Sequence, residues 1–127
     1  MEKKIQATAL LFGFLAIVFG AFGAHALKAY LSSDQLISFE TGVRYQMYHA
    51  FFLLFVSRAE ILAKAKKVIF YLTVIGVILF SFSIYLLATK AVTGIDFRCI
   101  GFITPIGGFL MILAWLLLFL NIIKKKG

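Results

Sequence analysis

Very few side chains in this sequence could do chemistry. His25 and His49 are its two histidines, the only groups expected to titrate near neutral pH and the obvious metal ligands. Gln46 and His49 are three residues apart and share a helical face, as do Thr41 and Arg44. Zinc needs three or four ligands, and two histidines do not supply them. A bis-histidine haem is formally open to the pair, but each imidazole alone is more simply read as bonded to a carbonyl or to interfacial water, so no cofactor or metal is expected. Ser81 and Ser83 have no base beside them in sequence to make a nucleophile. The single cysteine, Cys99, rules out an intramolecular disulfide or a two-cysteine relay. Glu40 and Glu60 fall at the edges of apolar runs, so a proton-for-cation exchanger would lack its buried acid. The expectation is a protein that is not an enzyme.

The elements that must position these residues follow from composition. Of 127 residues, 63% are apolar and 14% charged, with mean hydropathy +1.04, against about 45–50% and 25% in soluble domains. So small a globule cannot cover that much apolar surface; its solvent is lipid. The net charge of +8 does not point to nucleic acid, because the lysines border apolar runs. Four such runs, residues 5–27, 45–63, 68–88 and 100–123, approach the roughly 20 residues a bilayer requires. The predicted fold is all-α: a four-transmembrane-helix antiparallel bundle in one membrane domain, 1–127. Nine of thirteen basic residues then lie on the side of the termini, which predicts cytoplasmic ends in the cell membrane. Residues 1–4 and the Ala24-His25-Ala26 sequence have signal-peptide grammar, but the apolar stretch of about 20 residues exceeds an ordinary signal core of roughly 7–15, so retention is expected.

Between the first two spans, residues 29–44 are polar. Ser32 and Gln35 form a candidate capping box, and Leu36, Phe39, Val43 and Met47 recur at helical steps. This predicts a short amphipathic interfacial helix, with a bend near Gly42 unless the helix projects from the membrane. Residues 64–67 are expected as a hairpin loop and residues 93–96 as a turn. Ala9, Gly13, Ala16, Gly20 and Ala24 form a small-residue stripe suited to close helix packing, with looser sets in span three (Thr73, Gly76, Ser83) and span four (Gly101, Thr104, Gly108, Ala114). Tyr30, Tyr45, Tyr48 and Tyr85 read as an outer aromatic belt, and mid-span Trp115 as a packing residue against small neighbours. At 1.5 Å per residue, His25 stands about 13 Å above the membrane centre, Thr104 about 11 Å, and His49 and Ser83 about 7–8 Å. These levels predict that His25, Gln46 and His49 converge in one outer polar cluster, with Ser83 and Thr104 as neighbours.

Three segments carry a resemblance: GAFGAHAL at residues 20–27, FETGVRYQMYHA at 39–50 and ITPIGG at 103–108. Together they resemble the signature segments of the small membrane family called domain of unknown function 423, the YgdD-like bacterial proteins related to eukaryotic transmembrane protein 256. The resemblance spans essentially the whole chain. It implies a small multi-pass helical protein of the cell membrane, and the family supplies no catalytic residues. The chain departs from the family pattern at FSFSI, residues 80–84, where Phe82 replaces a glycine between serines.

The leading expectation is therefore a structural or accessory membrane component. Its expected partners are membrane lipids and either further copies of itself or a larger membrane complex, without nucleic acid. The alternative is a binder or conduit for a small molecule, lipid headgroup or ion at the outer polar cluster. A conduit needs a polar path through both halves, and the inner halves of spans one, three and four are almost wholly apolar.

Overall fold

A computed structural model of the chain describes residues 1–89 and 101–125, with the side chain of Ala24 left aside. The turn expected at 93–96, Cys99 and the first residue of span four lie outside the described residues. Those described fold into helices, with no strand among them. α1 (Glu2–Val18) passes through a π-helical turn (Phe19–Gly23) into the short α2 (Ala24–Leu27). α3 is Ser33–Arg58. α4 (Ala63–Val77) passes through a second π-helical turn (Ile78–Phe82) into α5 (Ser83–Ala88), and α6 is Ile103–Ile123. Three helical stretches are long and apolar enough to cross a membrane: Glu2–Leu27, Ala63–Ala88 and Ile103–Ile123.

The separate interfacial helix does not form. Its residues are the start of α3, whose helical hydrogen bonding runs unbroken through Gly42 for 26 residues, about 39 Å. The capping box is present at its start: Gln35 N–H donates to Ser32 Oγ at 3.2 Å and Ser32 N–H to Gln35 Oε1 at 2.9 Å. The expected loop at 64–67 is also displaced. α3 stops at Arg58, where Ala59 turns extended (ψ 137°), and the connection is residues 59–62. The lysines read as a loop lie in α4, since lysine and alanine are good helix formers whose charges can reach past the apolar face. Pro105 is the third residue of α6, where no backbone N–H has an intrahelical acceptor to lose.

The small-residue stripe of α1 faces α3. Ala9 and Ala16 are buried, and a Cβ added at Gly13 would touch Ala50 at 3.7 Å. One at Gly20 would meet Val43 at 3.2 Å and one at Gly23 the Phe39 ring at 3.2 Å. Numbers rise on one helix as they fall on the other, so the two run antiparallel in constant register. The tightest crossing, however, is between α4 and α6. A Cβ at Gly107 would collide with the backbone nitrogen of Phe80 and lie 2.7 Å from the Gly76 carbonyl oxygen, so only glycine fits. The looser sets predicted for these spans include Gly76 and Gly108 but omit Gly107. Phe82, at the family departure, is not at this crossing; its ring lies 5.7 Å from that of Tyr85.

Candidate functional site

Two different walls of α3 carry its polar groups. Gln46 is fully buried and turned toward α1 and α5. Its Nε2 donates to the Phe12 carbonyl at 2.8 Å, and its Oε1 accepts the Tyr85 hydroxyl at 2.7 Å. The Tyr85 ring sits among Phe19, Phe39 and Phe82, with centroids 5.3, 5.1 and 5.7 Å away. It also packs against the bare Cα of Gly42, where a Cβ would come within 2.7 Å of Cε1. One turn along α5 and the π-helical segment, Ser81 Oγ donates to the Gly42 carbonyl at 2.8 Å and is fully buried. Glutamine, tyrosine and serine thus tie three helices by two side chain-to-backbone bonds and one between side chains, in surroundings where an unmade bond is costly.

His49 faces the other way, toward α6. Nδ1 lies 2.7 Å from the Tyr45 carbonyl oxygen, and Trp115 Nε1–H donates to Nε2 at 3.0 Å. A carbonyl can only accept and an indole N–H can only donate, so the partners assign a neutral imidazole with its proton on Nδ1. Phe52 and Trp115 stack at 4.3 Å beside this bond. Beside the same bond, a cavity of about 440 Å³ is lined by Tyr45, His49, Phe80, Met111, Ile112 and Trp115, together with Gly108.

Ser83 and Thr104 form a third, separate pair, their hydroxyls 2.6 Å apart. Ser83 Oγ also donates to the Phe80 carbonyl at 2.9 Å, which leaves Thr104 as the donor between the two hydroxyls. A second cavity, about 340 Å³, lies beside Thr104 and is lined by Asp34, Gln35 and Ser38 from the start of α3.

The single outer cluster expected from depth is therefore three sites. Ser83 and Thr104 do meet. Gln46 and His49 share a helix but bond to different neighbours, and His25, on α2, is exposed and belongs to none of them. Depth along one axis could not give azimuth. Tyr85 leaves the aromatic belt for the interior, whereas Tyr30, Tyr45 and Tyr48 stay exposed. Trp115 packs on His49 and Phe52 instead of on small residues. Ser81, Tyr85 and Trp115 were read from the sequence in other roles and not as members of the site; Ser81 bonds a backbone carbonyl, and Tyr85 and Trp115 bond the side chains of Gln46 and His49. Among the described residues no group of three or more His, Cys, Asp or Glu could hold a metal ion.

At the end of the helices nearest the chain termini, charges pair across elements. Arg58 bonds Glu2 at 2.7 Å and Lys125 bonds Glu60 at 3.0 Å. Lys4 Nζ donates to the Tyr71 hydroxyl at 2.8 Å. The Arg58 hydrogen bond holds the Glu2 carboxyl below the usual carboxylate range, and the Lys125 hydrogen bond does the same for Glu60. Both acids are exposed, so these pairs add little stability.

Comparison with known proteins agrees with this picture. The family model described as "Protein of unknown function (DUF423)" matches residues 19–108. A UPF0382 membrane protein of Haemophilus influenzae is 35% identical over 128 residues, covering 100% of this chain and 99% of its own. The UPF0382 membrane protein YwdK of Bacillus subtilis is 35% identical over 113 residues, covering 87% and 88%. The UPF0382 inner membrane protein YgdD of Escherichia coli is 31% identical over 121 residues, covering 91% and 87%. No solved structure matches. With a family model spanning most of its length, full-length relatives named as membrane proteins and three helical stretches fit to cross a bilayer, this chain is a membrane protein and belongs to the DUF423 family.

Proposed function

We propose that the chain is a non-enzymatic structural or accessory component of the cell membrane, a single domain that works with other protein, either further copies of itself or a larger membrane complex. In this reading it crosses the bilayer four times as an antiparallel bundle with both termini cytoplasmic. α3 is the fourth crossing: its 26 residues exceed the roughly 20 needed, and the turns bearing Asp34 and Glu40 project beyond the hydrocarbon. The Glu2–Arg58 and Glu60–Lys125 pairs gather the N-terminus, the α3–α4 connection and the end of α6 at one end, and that end bears the basic excess expected on the cytoplasmic side.

The observation that carries the reading is saturation. Among the described residues, every buried side-chain nitrogen or oxygen already has a hydrogen-bond partner within the chain. A conduit needs polar valence left over for its cargo, whereas bonds that join α1, α3, α5 and α6 to one another serve to lock a packing. Purification in mild detergent followed by reconstitution into liposomes tests it. The expected results are a defined homo-oligomer or a stoichiometric protein partner, and no proton or cation flux above that of protein-free liposomes. Flux that disappears on Gln46→Leu would refute the reading.

The cavity beside His49 favours a second reading, a binder of a small apolar molecule. It is lined mainly by apolar and aromatic side chains, and its wall holds the His49–Trp115 hydrogen bond. A molecule that co-purifies with the wild type and is lost on Trp115→Ala would establish that reading instead.

A further inference from the structure

Two cavities adjoin at the end of the helices nearest the chain termini. The larger, about 570 Å³, is walled by Glu60, Ile61, Leu62, Asn121, Lys124 and Lys125. The smaller, about 250 Å³, has Lys64 as its one charged group and is otherwise lined mainly by Ala65, Val68, Ile69 and Leu117. Leu62 and Asn121 line both. The two are thus compartments of one cleft between the start of α4 and the end of α6, one charged and one apolar. Leu62, exposed over 76% of its surface, forms an apolar lip between them.

The charges do not balance inside the cleft. Glu60 is bonded to Lys125 at 3.0 Å, which leaves Lys64 and Lys124 as the net positive charge among the described residues that line it. Helix propensity admits Lys64, but its charge is unfavourably placed. It lies in the first turn of α4, beside Lys66, at the helix end where the backbone dipole disfavours cations. An anion at the junction of the two compartments, where Leu62 and Asn121 line both, would meet Lys124 from one side and Lys64 from the other. A small free anion would leave the apolar compartment unfilled, whereas an amphiphile fills the two at once, and in a membrane protein this end meets the headgroups.

We propose that this cleft binds one anionic glycerophospholipid, with its phosphate between Lys64 and Lys124 and one acyl chain along Ala65, Val68 and Leu117. Basic pockets between membrane helices suit such headgroups. The site is distinct from the saturated interior, so it stands or falls independently of the structural role proposed above.

Native mass spectrometry of the full chain in mild detergent, titrated with phosphatidylglycerol or phosphatidylcholine, tests it. The wild type should retain phosphatidylglycerol in preference. Lys64→Gln with Lys124→Gln should weaken that binding on the order of thirtyfold, from about tenfold for each 1.4 kcal/mol and about 1 kcal/mol per lysine. Lys3→Gln with Lys67→Gln removes the same charge from the same end outside the cleft and should change it by less than about threefold. Equal losses in the two double variants would mean diffuse attraction and overturn the site, as would undiminished binding in the first. Tight binding of glycerol 3-phosphate alone would overturn the lipid assignment in favour of a free phosphate. Circular dichroism accompanies each variant. Should the cleft double variant lose helicity, Lys124→Gln alone carries the comparison, and binding unchanged in it would refute the proposal.

Discussion

Adjacent glycines in α6 should respond oppositely to the same methyl group. A Cβ at Gly107 would lie 2.7 Å from the Gly76 carbonyl oxygen and 2.8 Å from the Leu79 carbonyl carbon, besides colliding with the Phe80 nitrogen. All three are backbone atoms, so no side-chain rotation relieves them; α4 and α6 must separate by about 1 Å, which forfeits a quarter to a half of the attraction at each contact along the crossing. Overpacking of this kind costs about 1–3 kcal/mol, and Gly107→Ala is expected at the upper end. A Cβ at Gly108 meets only the Phe80 ring, at 3.6 Å, an ordinary contact. Gly108→Ala should be neutral or gain up to about 1 kcal/mol from helix propensity. The two substitutions change composition and propensity identically, so their difference isolates the crossing. Titration with dodecyl sulfate in mixed micelles measures it, with the fluorescence of Trp115, the single tryptophan, as the probe. Equal midpoints for the two variants would refute the argument.

The remaining predictions follow from the hydrogen bonds and the charged end. A double-mutant cycle of His49→Phe and Trp115→Phe, followed by circular dichroism in a dodecyl sulfate titration because Trp115→Phe removes the single tryptophan, should give a coupling of about 0.6 kcal/mol and no more than about 1.7, the range of interhelical bonds in lipid; zero coupling would remove the bond. Tyr85→Phe keeps the ring among Phe19, Phe39 and Phe82 but leaves Gln46 Oε1 without its donor, so it should destabilise by about 1 kcal/mol, with Gln46→Leu in the Tyr85→Phe background adding less than in wild type. Glu2 and Glu60 are held below the ordinary value of 4.5 by Arg58 and Lys125. Their small contribution is therefore present above that value and lost as pH falls through the lowered folded-state values; the midpoint should drop slightly on acidification, and less so in Glu2→Gln with Glu60→Gln. In a Cys99→Ser background, Lys125→Cys should be protected from an impermeant thiol reagent in intact cells and Ser33→Cys reactive, and the reverse pattern would invert the topology. Intact mass should include residues 1–26; a species starting at Leu27 would show that the Ala-His-Ala site is cleaved.

Much of the architecture was legible because it rests on composition and spacing. Of the four apolar runs, three coincide with helices long and apolar enough to cross a membrane, the Ser32–Gln35 spacing gave the start of α3, and the α1 stripe gave its packed face. The errors came where charge was read as a loop. Lys64, Lys66 and Lys67 mark the membrane end and not a break in the helix, because a flexible four-carbon stem lets the helix begin below the charge. The site was less legible than the fold. Depth follows from counting residues, but which neighbour a side chain meets depends on rotation about the helix axis. The acceptors at Phe12 and Gly42 are backbone carbonyls that become available only through close helix approach. Gly107 was passed over for Gly108 since adjacent glycines look alike until a second backbone is laid beside them.

The π-helical turns at Phe19–Gly23 and Ile78–Phe82 bear on how lengths vary among relatives. Each wide turn takes in one residue more than an α-helical turn would, so each is an insertion carried inside a membrane helix instead of in a loop. Removing one residue within such a turn lets it tighten to α-helical winding, so the same full turn is completed with one residue fewer and the rest of the helix keeps its phase. Beyond the second turn Ser83 would still face Thr104 and Tyr85 would still face Gln46. The same deletion in the α-helical winding on either side would swing the rest of the helix by about 100° and part these pairs. A gap of one is therefore absorbed inside these two turns, as it is in residues 59–62 where it shortens a connection, and is a change of helical phase elsewhere in the spans.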